Sequence, residues 1–406
     1  MQYFSFTLIN GLRVVFLPSF SHVNYCGFTV DVGTRDERMT EHGLAHFVEH
    51  NLFKGTRKRK SRHILNRMEA VGGELNAYTT KEETFLYSVC LAKDTERAIE
   101  LLSDLVFNSQ FPTSEIEKER EVVIDEINSY EDTPSDLIFD EFENLVFEGS
   151  EMGHNILGDA KSLETFTPEI CHLFSKQFYR PDRMIFFING NLKEKKVRRL
   201  VEKYMADIQS NNIIDIKRNI PKIIPSRNLS LDKDLHQNHI IVGCRICSTY
   251  DAQKMAIRVL NNILGGPGMT SRLNIELREK RGLVYTVESN LNFYTDCGIF
   301  NVYFGCDHND REKCLYLTHR ELKKLRNNKL TDSQFTSAIK QWKGQLGVVA
   351  DQHENLALSM GKRFLRFNNY ESLEETHRRI NLLTAEQLLS AANEFFDENS
   401  LFSLTY

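Results

Sequence analysis

Two stretches roughly 210 residues apart repeat one order of elements, and this repetition constrains the fold of the 406-residue chain more than any other feature. In the first half, strand-like Asn24-Tyr-Cys-Gly-Phe-Thr-Val30 precedes a helix ending at Phe53-Lys54-Gly55. A second helix runs to Gly72-Gly73, and alternating strands follow through Asn76-Ala77-Tyr78 and Phe85 to Val89. In the second half, Asn238 to Val242 leads to a helix ending at Leu264-Gly265. A helix through Leu277 and Arg278 to Gly282 comes next, then strands around Tyr285 and Phe300 to Tyr303. A chain of this length exceeds what one core supports. The expectation is an α+β protein of two structurally similar α/β-sandwich domains, each a mostly antiparallel sheet with helices packed on it, related by internal duplication. The boundaries read as residues 1–209 and 232–406, joined by an extended linker over 210–231 that contains Pro221 and Pro225.

Composition removes several function classes. With 41% hydrophobic and 26% charged residues the chain is an ordinary globular protein, and a net charge of −5 argues against nucleic-acid binding. The basic run Arg57-Lys58-Arg59-Lys60 is local and reads as a solvated loop. The N-terminus alternates like a strand rather than resembling a signal peptide, and no apolar run approaches a membrane span. The eight cysteines are scattered; Cys244 and Cys247 lie in a strand-like segment where residues three apart face opposite ways. Free thiols in a reducing compartment, hence a cytoplasmic location, are the expectation. The loop Gly265-Gly266-Pro267-Gly268 lacks a following Gly-Lys-Ser/Thr and reads as a turn ending a helix, not a phosphate cradle.

Chemistry concentrates in His46-Phe47-Val48-Glu49-His50. Positions four apart share a helix face, so His46 and His50 can aim two imidazoles at one metal ion. Glu49 can reach a water at such an ion, giving two neutral nitrogen ligands and a general base in the inverted His-x-x-Glu-His order. Two histidines could equally satisfy polar contacts at a core edge, so a third ligand is needed.

Residues 114–131 supply a candidate. Ser114 and Glu117 form a capping-box pattern after Pro112, and Ile116, Val123 and Ile127 make one apolar stripe. Glu119 and Glu126 lie seven apart at the border of that stripe, where carboxylates need compensation such as a divalent cation. Taken alone, the helix is better read as carrying ordinary solvated glutamates.

Together the two segments resemble the pitrilysin/insulinase-type metallopeptidases, the inverted zincins. That family has His-x-x-Glu-His followed, seventy to eighty residues on, by two acids seven apart; here Glu119 and Glu126 follow His50 by 69 and 76 residues. The resemblance implies one Zn2+ per chain held by His46, His50 and Glu126, with Glu49 as base and Glu119 orienting the site from behind. It further implies that Tyr285 and Arg278, in Leu-Arg-Glu-Lys-Arg-Gly-Leu-Val-Tyr, contact the scissile region of the substrate. Asn76 and Ala77, in Gly73-Glu-Leu-Asn-Ala-Tyr-Thr79, would lie on an edge strand that a peptide joins by backbone pairing. On its own residues that segment reads equally as an internal strand. The implied activity is endopeptidase cleavage of unfolded peptides in a chamber formed by a homodimer, or by a heterodimer with a related subunit. The alternative is a catalytically silent scaffold or substrate-recruiting subunit of such a heterodimer.

Overall fold

The computed structural model describes residues 2–210 and 217–406. Contacts divide the chain into two units, one of Met1–Asn128, Asn155–Arg218 and Val348–Ser372, the other of Ser129–His154, Asn219–Gly347 and Leu373–Tyr406.

The first unit is built on a six-stranded sheet: β1 (Phe4–Thr7), β2 (Arg13–Pro18), β3 (Val23–Val30), β4 (Glu74–Thr79), β5 (Thr84–Leu91) and β6 (Met184–Gly190). Their order is β1-β2-β6-β3-β5-β4, and only β2 and β6 run parallel. Runs such as Val14-Val-Phe-Leu17 and Met184-Ile-Phe-Phe-Ile188 are buried throughout, the pattern of strands covered on both faces. Val14, Phe16, Phe186 and Ile188 face a helical layer that includes α1 (Leu44–Asn51), α2 (Ser61–Glu69), α3 (Thr95–Asn108) and α4 (Thr113–Glu131). Val15, Leu17, Ile185 and Phe187 point the other way, onto the helix His353–Phe367. Gly361 of that helix sits so close that a Cβ would lie 2.6 Å from Thr29 Oγ1 and 2.8 Å from the Phe187 ring.

The second unit has β7 (Asn228–Ser230), β8 (Asn238–Ile246), β9 (Val284–Phe293), β10 (Gly298–Cys306) and β11 (Phe402–Thr405), ordered β7-β11-β8-β10-β9. Only β7 and β11 are parallel. Position by position this is the order and sense of β2-β6-β3-β5-β4, so the two units are duplicated α+β sandwiches that differ by the added edge strand β1. One sheet face packs on helices that include Lys254–Gly265 and Ala385–Phe395. The other, through Ile241, Ile299, Tyr303 and Leu404, packs on α5 (Pro134–Val146).

Several expectations need correction. Continuous domains over 1–209 and 232–406 assign every strand but β7 and miss the second covering layer of each sheet, because α5 belongs to the second unit and the helix His353–Phe367 to the first. Of the expected linker, residues 211–216 lie outside the described residues. Residues 217–227 carry no regular structure, whereas Asn228–Ser230 is a strand. The helix expected from Ser114 opens at Thr113, with the Pro112 carbonyl accepting from the Glu115 and Ile116 amides, so Ser114 lies inside the first turn. The basic run is only partly solvated: Arg59 pairs with Glu100 and Asp104, at 2.7 and 2.6 Å. All eight cysteines are buried, none is in a disulfide, and no described helix is long and apolar enough to cross a membrane.

Candidate metal centre

The motif helix begins at a forced turn. Gly43 has a φ of 91°, and a Cβ there would lie 2.5 Å from the Leu157 carbonyl oxygen, so only glycine admits the chain into α1. Behind it the Glu37 carboxylate accepts from the Gly43 and Ala45 amides at 2.9 and 2.7 Å, satisfying donors that a helix start leaves open. One turn on, the His46 and His50 rings stand 4.4 Å apart, centroid to centroid.

α4 brings the carboxylates. Glu126 Oε2 lies 3.8 Å from His46 Nε2 and 3.6 Å from His50 Nε2. One donor atom from each of the three lies within 4.8 Å of the others, the only such group of metal-binding side chains among the described residues. Two turns earlier on α4, buried Glu119 places Oε1 2.9 Å from His50 Nδ1 and Oε2 2.5 Å from Lys54 Nζ. Glu49 is buried beside the histidines, and its Oε2 accepts from Thr79 Oγ1 at 3.1 Å. Asp125, the acid next to Glu126 on α4, is exposed.

Burial is the largest single influence on each of the four ionisable groups. It lowers the His46 pKa to about 3, helped by the neighbouring His50, so this imidazole stays neutral at all ordinary pH. Burial also raises Glu49 to about 7, against the opposing pull of His50 and of the Thr79 hydrogen bond. At His50 burial opposes charge, but the Glu119 hydrogen bond and the nearby carboxylates outweigh it and raise the pKa. At Glu119 burial is likewise outweighed, by the His50 and Lys54 hydrogen bonds, and the pKa falls.

This donor set fits a zinc ion. Two imidazole nitrogens and one carboxylate oxygen are zinc ligands, and bond lengths near 2.0–2.1 Å imply tetrahedral edges of about 3.3 Å. The observed separations of 3.6 and 3.8 Å close to that with side-chain shifts of a few tenths of an ångström. Buried His46 Nδ1 has no hydrogen-bond partner among the described residues, so no neighbouring group competes with a metal for the orientation of that ring.

Of the remaining candidates, Asn76, Ala77 and Tyr285 fall on two strands that are edges of their own sheets, and Arg278 precedes the second of them. Asn76 and Ala77 lie on β4, the edge of the first sheet, opposite Tyr87 and Leu86 of β5. β4 ends at Thr79, the residue that reaches Glu49. In the second unit Tyr285 is 85% exposed near the start of β9, the edge of the second sheet. Arg278 belongs to the π-helical segment Asn274–Glu279, not an α-helix, and its guanidinium carbon lies 5.8 Å from the Tyr285 ring centroid, within cation–π range. Single π turns recur at functional sites.

Sequence reasoning did not find Thr79, Glu37 or Lys54. Lys54 carried a usable signal, since it follows His50 by four residues. Thr79 carried none, because its link to Glu49 is made by the sheet rather than by spacing.

The chain has recognisable relatives. Residues 13–160 match the family described as Insulinase (Peptidase family M16), and residues 165–342 match the Peptidase M16 inactive domain. A protein of Mycobacterium leprae named as an uncharacterized zinc protease is 32% identical over 397 residues, covering 97% of this chain and 89% of its own length. Uncharacterized zinc protease YmxG of Bacillus subtilis is 28% identical over 402 residues, covering 98% and 97%. Among solved structures, a protease from Helicobacter pylori superposes with a TM-score of 0.92 at 21% identity, covering 100% of this chain and 99% of its own. A putative M16-like peptidase from Alicyclobacillus acidocaldarius gives 0.88 at 22%, covering 100% and 97%. At that identity the likeness is one of fold.

Proposed function

The chain belongs to the insulinase family of peptidases, and we propose that it is an active zinc-dependent endopeptidase of unfolded peptides. The observation that carries this reading is the meeting of His46 Nε2, His50 Nε2 and Glu126 Oε2 from two helices, with the Glu49 carboxyl buried alongside. The inactive-domain match covers residues 165–342, which contain none of these four residues.

His46, His50 and Glu126 would hold the zinc, which supplies a Lewis acid able to make water a nucleophile near neutral pH. Glu49 would take a proton from the water that attacks the peptide carbonyl and return it to the leaving amine. Thr79 occupies Oε2 of Glu49, which leaves Oε1 to carry the proton. A pKa of about 7, set by burial, suits a group that must both accept and donate near neutral pH. A substrate strand would add to the open edge of β4 at Asn76 and Ala77 through backbone hydrogen bonds. Tyr285, exposed and free to donate, would hydrogen-bond the carbonyl oxygen as it becomes negative, and Arg278 would position the peptide backbone.

The chamber would be formed by two chains, as a homodimer or with a related subunit, Tyr285 serving the metal centre of the partner. The direct test is digestion of a mixed library of unstructured peptides, with and without chelator, by wild type and by Glu49→Gln. Wild type should cleave and lose activity with chelator. Glu49→Gln should keep its zinc and lose roughly two to four orders of magnitude in kcat, the range typical of a general base. A Glu49→Gln chain with undiminished activity would remove Glu49 from the base role.

A further inference from the structure

We propose that Lys54 is a positioning residue of the metal centre, fixing Glu119 so that Glu119 in turn fixes the His50 imidazole; the proposal rests on the zinc-peptidase reading above. An imidazole turned over by rotation of its ring presents its other nitrogen, and only Nε2 of His50 faces Glu126. A carboxylate oxygen at 2.9 Å from Nδ1 removes that freedom. A carboxylate can only accept, so Nδ1 carries the hydrogen and Nε2 keeps its lone pair for a metal.

Glu119 needs support of its own to do this. Its side chain is only 6% exposed, and a buried carboxylate with one partner would gain by turning towards water. Lys54 meets the second oxygen at 2.5 Å, so both oxygens are engaged and the carboxylate plane is set. Among the described residues Lys54 is the only lysine or arginine paired with Glu119. It can do so because the chain keeps turning beyond α1: the Lys54 amide donates to the Asn51 carbonyl at 3.2 Å, which carries the lysine round to the side of His50. Its side chain remains 26% exposed, so the ammonium loses only part of its hydration. The chain His50–Glu119–Lys54 therefore runs from the metal centre to solvent.

The test compares wild type, Lys54→Met, Glu119→Gln and the double variant, with Lys54→Gln as a second probe should Lys54→Met fold poorly. Zinc affinity is read by competition with a chromophoric chelator, the cobalt-substituted visible spectrum reports ligand geometry, and melting of the metal-free proteins controls for folding. Losing Lys54 should weaken zinc binding roughly tenfold to hundredfold, the range found for outer partners of metal ligands. The cobalt spectrum should change, the metal-free variants should still melt cooperatively, and the double variant should bind no worse than Glu119→Gln alone. Zinc affinity in Lys54→Met equal to wild type, or losses that multiply in the double variant, would overturn the proposal while leaving the peptidase reading intact. A wild-type chain that takes up no zinc would overturn both.

Discussion

In the proposed mechanism Glu49 must be a base strong enough to take a proton and an acid strong enough to return it, and burial beside a threonine suits it to both. Its charge is disfavoured in the apolar surroundings, while Thr79 steadies one oxygen. Thr79→Val should therefore retain zinc and KM but lower kcat roughly fivefold to tenfold, the worth of one hydrogen bond; an unchanged kcat would leave Thr79 a packing residue. The same burial makes a stability prediction for the metal-free protein. From pH 4.5 to about 7 the unfolded chain has released the Glu49 proton while the folded chain keeps it, so stability falls as pH rises through that window. Metal-free Glu49→Gln lacks this loss and should be more stable than metal-free wild type by about 3 kcal/mol at pH 8, the gap closing towards pH 4.5. Urea denaturation at both pH values measures it, and a pH-independent difference would contradict the assignment.

At the scale of elements, the site was legible where chemistry follows helical spacing. His46 and His50 share a face of α1, and the stripe of Ile116, Val123 and Ile127 does turn α4 towards the core, with Glu119 and Glu126 at its border. What the sequence did not disclose is which sheet an amphipathic helix covers. The apolar faces of α5 and of the helix His353–Phe367 identify them as packed helices, but their partners are fixed only by the second apolar face that each sheet presents. Two fully buried strand runs, Val14 to Leu17 and Met184 to Ile188, are covered by helical layers on both faces. Gly361 is where the helix His353–Phe367 approaches closest, so Gly361→Val should destabilise the protein by more than about 2 kcal/mol through overpacking against Thr29 and Phe187. A thermal or denaturant midpoint equal to wild type would contradict that packing.

At the scale of the whole molecule, duplication left two sandwiches of one topology, and among the described residues side chains able to hold a metal meet in the first alone. If the Arg278 and Tyr285 pair serves the metal centre of a partner chain, co-expressed Glu49→Gln and Tyr285→Phe chains, each inactive alone, should recover up to about a quarter of wild-type activity when they assort at random, one working site in each mixed dimer. No recovery above background would mean that each chain supplies its own tyrosine. The central claim beneath all of this is that two imidazoles of α1 and one carboxylate of α4 close around a single zinc ion. The most direct measurement is anomalous diffraction at the zinc edge from crystals of the wild-type protein. The account predicts one peak per chain, about 2.0–2.2 Å from His46 Nε2, His50 Nε2 and the Glu126 carboxylate. A zinc-replete crystal with no peak there, or with its peak at other side chains, would contradict it.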